Sequence, residues 1–102
     1  MTSTSLYFLD DDTYIALDEL TQASGLEERQ IVELVEFGVF EPRHHANDLL
    51  FSARCIVKAR QAARLQRAFD LDSNGLALAL TYLDRIEMLE QQLRKLECQL
   101  LR

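Results

Sequence analysis

The stretch "GLEERQIVELVEFGVF", residues 25–40, decides how this chain is read. It has the layout of the second helix of a helix-turn-helix. A glycine turn precedes it, Ile31, Leu34 and Val35 form an apolar ladder at helical spacing, and Gly38 stops it. In a DNA reader such a helix carries arginine, lysine or asparagine toward base edges. Here it carries Glu27, Glu28, Glu33 and Glu36 against the single Arg29. The sign is wrong for phosphate and right for a basic partner.

The rest of the chain agrees with that sign. Residues 1–51 hold eleven acids and two bases, a net of −9, while residues 52–102 hold six acids and nine bases, a net of +3. A negative front half repels nucleic-acid backbones and attracts cationic proteins. The 102 residues are 48% apolar, enough for one small core, and three glycines with one proline leave room for long helices. No run approaches the roughly 18 to 20 apolar residues that cross a bilayer. The opening "MTSTSLYFLDDD" lacks a basic region before its short apolar run, unlike a signal peptide, so the expectation is a soluble, cytoplasmic protein. Cys55 and Cys98 stand far apart and outside any CxxC pair, as free thiols do in a reducing compartment. His44 and His45 have no further ligand at metal spacing and read as a solvated loop.

Working outward from residues 25–40, "DELTQASG" reads as the first helix, with Asp18 and Glu19 in its opening turn, Leu17 and Leu20 facing inward and Gly25 ending it. The second helix is expected over residues 27–37. Upstream, "LYFLDD" and "TYIAL" are short β-prone runs. Downstream, "VFEPR" and "LLF" are extended pieces around the loop "HHAND", together a small hairpin or wing. Ser52 is the expected N-cap of a third helix, with Ile56, Ala59, Ala63 and Leu65 inward and Lys58, Arg60, Arg64 and Arg67 outward. Asp72 or Ser73 caps a fourth helix running nearly to the terminus, on the order of 40 Å long and too long for so small a head to cover.

Along that last helix Ile86, Leu89, Leu93, Leu96 and Leu100 alternate three and four residues apart, a heptad seam flanked by Glu87, Glu90, Arg94 and Lys95. Two heptads are too short for a lone coiled coil. The seam therefore either extends a core or pairs two copies, and the flanking charge favours pairing. The expected organisation is mainly α: a winged helix-turn-helix head with a third helix over residues 1–72, then a dimerisation helix over residues 73–102.

Catalysis finds no foothold. No Gly-rich phosphate loop, GxSxG, HExxH or CxxC is present, and the carboxylates fall on helix exteriors, so no catalytic residue, metal or cofactor is assigned. The segments "YIALDELTQASGLEERQIVELVEFGVFEP" and "LLFSARCIVKARQAARL" are similar in layout to MerR-like regulators. The basic recognition helix and basic wing of those DNA readers are missing, since the wing offers only Arg43 and two histidines. Direct DNA binding by this face is not expected. The alternative is a MerR-like transcription regulator that meets DNA through the Arg60, Arg64, Arg67 stripe.

A closer resemblance rests on residues 38–43, on Ala63-Arg64-Leu65, and on Gly75-Leu76-Ala77-Leu78-Ala79-Leu80 leading into Leu83-Asp84-Arg85-Ile86. With the acidic second helix, these resemble the CbpM family of chaperone modulatory proteins across about residues 14–100. The resemblance implies a small homodimer that binds the J-domain of CbpA, a DnaJ-like co-chaperone. It would block both the co-chaperone's work with the Hsp70 DnaK and its association with DNA. A J-domain turns a basic helix toward DnaK, and an acidic face could cover it. Glu33 and Glu36 lie where their own helix dipole does not account for them and are the first candidates for that contact, ahead of Asp18 and Glu19. Phe37, Val39 and Phe40 are candidate apolar anchors, with core packing as the competing account of each. Ile86, Leu89, Leu93, Leu96 and Leu100 would hold the dimer.

Overall fold

The computed structural model describes residues 13–101. Its order is β1 (Tyr14–Ala16), α1 (Leu17–Ser24), α2 (Glu28–Glu36), β2 (Arg43–His45), β3 (Asp48–Ser52), α3 (Cys55–Phe69) and α4 (Ser73–Leu100). The "LYFLDD" run lies outside the described residues; "TYIAL" contributes β1. The fold is mainly α with a small antiparallel sheet and a long C-terminal helix, as the sequence leads one to expect.

Local chemistry sets the ends of the first two helices. β1 runs straight into α1, and the Glu19 carboxylate reaches back to accept the Ala16 amide at 2.8 Å. Gly25 ends α1 at φ 89°, its amide bonded to the Thr21 carbonyl. The inter-helix turn is pinned from inside: Leu26 is buried, and its amide donates to Oγ of the buried Ser24 at 3.2 Å. Gln30 accepts the Glu27 amide at 2.9 Å to open α2. Gly38, at φ 84°, closes α2 with two bonds, Gly38 N–H to the Val35 carbonyl and Val39 N–H to the Leu34 carbonyl. That pair is a Schellman cap, which needs a left-handed residue where the glycine stands.

The sheet has the order β1-β3-β2, with Ile15 opposite Phe51 and His44 opposite Leu49. Its second hairpin corrects the wing expected from sequence. His44 and His45 belong to β2 rather than to a loop, and only Ala46 and Asn47 connect the strands. Ala46 takes φ 55°, a left-handed conformation that costs a residue with a Cβ about 1 kcal/mol or more.

Ser52 is the second correction. It ends β3, and α3 starts at Cys55, although the Ser52 hydroxyl does accept the Arg54 amide at 3.2 Å. On α3 the fully buried row is Ile56, Ala59 and Ala62, with Ala63 beside it; Leu65 is only partly buried. These alanines let α1 lie close against α3. Asp72 caps α4, accepting the Gly75 amide at 2.8 Å.

One core joins all of this. Leu20 from α1, Ile31 and Leu34 from α2, Phe51 from β3, Ile56 from α3, and Leu76 with Leu80 from α4 are essentially sealed from solvent. Thus only the first turns of α4 belong to the head. The remainder projects as a stalk, giving extents of 51 × 31 × 27 Å. No helix is long and apolar enough to cross a membrane among the described residues.

Candidate partner-binding surface

The acidic residues of α1 and α2 are not equivalent once packed. Glu36 is exposed at the last turn of α2, next to Phe37, which leaves 51% of its surface in solvent. A large apolar ring held open beside a solvated carboxylate is what an interface anchor with a charged rim requires. Glu27 and Glu28 are exposed at the start of α2 and compensate its dipole. Arg29 folds over this row, with Nη2 at 3.5 Å from Glu27 and Nη1 at 3.9 Å from Glu33. It is more than two-thirds exposed and gives weak pairing.

Glu33 has structural work that the sequence did not suggest. The Ser73 hydroxyl, at the first turn of α4, donates to its Oε1. The α2 dipole does not hold this carboxylate, but the N-terminus of a different helix does, and the side chain is only 36% exposed. Glu19 is likewise occupied as the α1 cap. Asp18 is exposed, with Oδ1 accepting the Glu19 amide at 3.0 Å.

Phe40 does not reach the surface. It is 2% exposed and meets Phe51 edge-on, with ring centroids 6.3 Å apart. Its place in the core removes it from the candidate anchors, because Gly38 reverses the chain and carries it beneath the sheet. Val39 is half-buried against the same core. Of the aromatic pair near the glycine turn, Phe37 alone stands outward.

The basic stripe on α3 is partly accounted for within the chain. Arg60 Nε donates to the Ala23 carbonyl at 2.8 Å, near the C-terminus of α1, which has no base in its last turn. Arg67 lies against the α1–α2 turn, its guanidinium 3.1 Å from where a Cβ on Gly25 would stand. Lys58 pairs with Asp84 of α4 at 2.8 Å. Arg60 and Arg67 thus sit at the α1 terminus and the α1–α2 turn, and Lys58 ties α3 to the stalk.

An open groove of about 1420 Å³ runs between α3, the root of the stalk and the chain after α2. Glu41, Asp84 and Glu87 line it together with Arg54, Lys58 and Arg85, so it has no net sign. Cys55 also lines it, and burial pushes the thiol pKa up against the opposing pull of Lys58 and a backbone hydrogen bond from Ser52. Among the described residues no group of three or more His, Cys, Asp or Glu side chains could hold a metal ion. The seam residues Ile86, Leu89, Leu93, Leu96 and Leu100 are all exposed on the stalk, from 49% at Ile86 to 83% at Leu100.

Residues 15–98 match the family described as MerR HTH family regulatory protein. The chaperone modulatory protein CbpM of Coxiella burnetii is 39% identical over 84 residues, covering 81% of this chain and 79% of that protein. CbpM of Escherichia coli is 33% identical over 87 residues, covering 84% and 86%. These relatives are named as modulatory proteins rather than as enzymes. With a helix-turn-helix head, an acidic second helix and a projecting C-terminal stalk, the chain belongs to the CbpM family of chaperone modulatory proteins, on the MerR-type helix-turn-helix fold.

Proposed function

We propose that this protein binds the J-domain of a CbpA-like, DnaJ-type co-chaperone as a homodimer, and that binding blocks the co-chaperone's work with its Hsp70 and its attachment to DNA. The observation that carries this reading is the pairing of exposed Glu36 with exposed Phe37 on an acidic helix. A basic helix approaching α2 finds an apolar anchor and a carboxylate at one end, and further carboxylates at the other. Charge of this kind speeds encounter and fixes register, and the ring supplies the affinity. The acids that favour a J-domain disfavour DNA, because each one near phosphate opposes counterion release. The exposed leucine seam supports pairing of two copies through α4.

The test is titration of the full chain with a CbpA-like J-domain and, separately, with duplex DNA, each at low and high salt. The reading expects J-domain binding that weakens moderately with salt, and no DNA binding at either. Salt-steep DNA binding without J-domain affinity would favour a MerR-like DNA regulator instead.

A further inference from the structure

Residues 6–12, "LYFLDDD", set Leu6, Tyr7, Phe8 and Leu9 directly before Asp10, Asp11 and Asp12. The family match begins only at residue 15, so this run stands outside it. The point where it joins the described chain is fixed. The Thr13 carbonyl accepts the Ala53 amide at 2.9 Å, which brings residue 12 to the start of α3. Tyr14, Arg54 and Cys55, on either side of that junction, all line the open groove between α3 and the root of the stalk.

We infer that residues 6–12 of this chain occupy that groove, with the three aspartates at the start of α3 and the apolar four against Val57 and Met88. Reach permits it. At no more than about 3.5 Å per residue, Asp10 lies within about 10 Å of Thr13 and Leu6 within about 25 Å. The groove, at about 1420 Å³, exceeds the roughly 300–1,000 Å³ of a small-molecule pocket and is of a size for a peptide.

Charge favours the aspartates at the near end. Among the described helices, α3 is the one that opens with neither an acid in its first turn nor a side-chain cap. Its opening turns carry Arg54 and Lys58 and no carboxylate. A helix N-terminus beside two cations stabilises negative charge, and the covalent order delivers three carboxylates there.

The apolar lining has no other use in the fold. Val57 and Met88 line the groove and are 61% and 58% exposed. Val57 stands outside the buried row of α3. At about 100° per residue Met88 points well away from Ile86 and Leu89, on the side of α4 that Leu80 and Asp84 share. Neither the core nor pairing through the leucine seam covers these two side chains, and Leu6 to Leu9 bring the matching surface.

Cys55, on the groove wall, supplies the readout. Its alkylation by iodoacetamide, mapped by mass spectrometry beside that of Cys98, is compared across three forms of the full chain with helicity checked by circular dichroism. These are wild type, the combined variant Leu6→Ser, Tyr7→Ser, Phe8→Ser and Leu9→Ser, and the combined variant Asp10→Asn, Asp11→Asn and Asp12→Asn. The inference expects Cys55 to react about fivefold faster or more in the serine variant, and faster in the asparagine variant, with Cys98 unchanged. Wild-type rates at Cys55 in both variants overturn it. Slowing of Cys55 by higher protein concentration or by an added J-domain would then give the groove to a second copy or to that partner. A benzophenone side chain in place of Phe8 tests position directly, by photo-crosslinking. Adducts within one chain to residues 54–61 or 84–92 support the inference, and adducts elsewhere or between chains overturn it.

Discussion

Gly38 and Ala46 both sit at positive φ, one with the residue that suits it and one without. A Cβ at Gly38 would meet no atom within 4 Å, so the cost of Gly38→Ala is conformational alone. We expect a loss of about 1 kcal/mol, the left-handed penalty less the entropy that alanine removes from the unfolded chain. Ala46→Gly should run the other way, raising stability by about 0.5 kcal/mol, and thermal melts of the two variants check both signs. The thiols differ as clearly. Cys55 is half-buried with its pKa pushed up, so less of it is thiolate near neutral pH, and Cys98 is exposed on the stalk. A disulfide reagent at pH 7.5 should therefore label Cys98 first, and faster labelling of Cys55 would contradict that environment. At this scale the sequence was readable where one residue type answers one need. Gly25 and Gly38 announce left-handed caps, while nothing in "HHAND" announces one at Ala46. The same stretch, with no β-branched residue, also hid β2.

Helix identity was legible for a similar reason: the ladder Ile31, Leu34, Val35 and the cap Asp72 act over three or four residues. What joins the helices was not. The bond from Ser73 to Glu33 spans 40 positions, and no periodicity points to it. Nor could the spacing of Arg60 say that its Nε would donate to a backbone carbonyl of α1. Phe37 and Phe40 are indistinguishable by composition; the reversal at Gly38 sends one outward and the other into the core. The α2–α4 latch has a measurable consequence. Glu33→Ala and Ser73→Ala should each destabilise the fold by about 1 kcal/mol, and the double variant by little more than either alone. Full additivity in urea melts would mean that the two side chains do not act together. Because of this latch, reversing charge at Glu33 mixes a folding effect with any binding effect, and Glu36 is the cleaner probe.

At the scale of the whole molecule, the sign of the charge changes near residue 52, inside the head, well before the stalk leaves it. The head gathers the acids, and the neutral-flanked stalk carries the leucines. The head's sign was plain from a count of residues, because solvated charge stays outside wherever the helices pack. Which side of α4 the head takes was not, since Leu78, 60% exposed, stands among residues that look equally fit for the core. The central claim is that the acidic face at the end of α2 meets a cationic protein. Calorimetric titration of a CbpA-like J-domain into Glu36→Lys and Phe37→Ala variants, alongside wild type, tests it most directly. The account predicts that each change weakens binding about tenfold or more with helicity preserved, and that the Glu36→Lys loss shrinks at high salt. Wild-type affinity in both variants would place the partner on another surface and contradict the account.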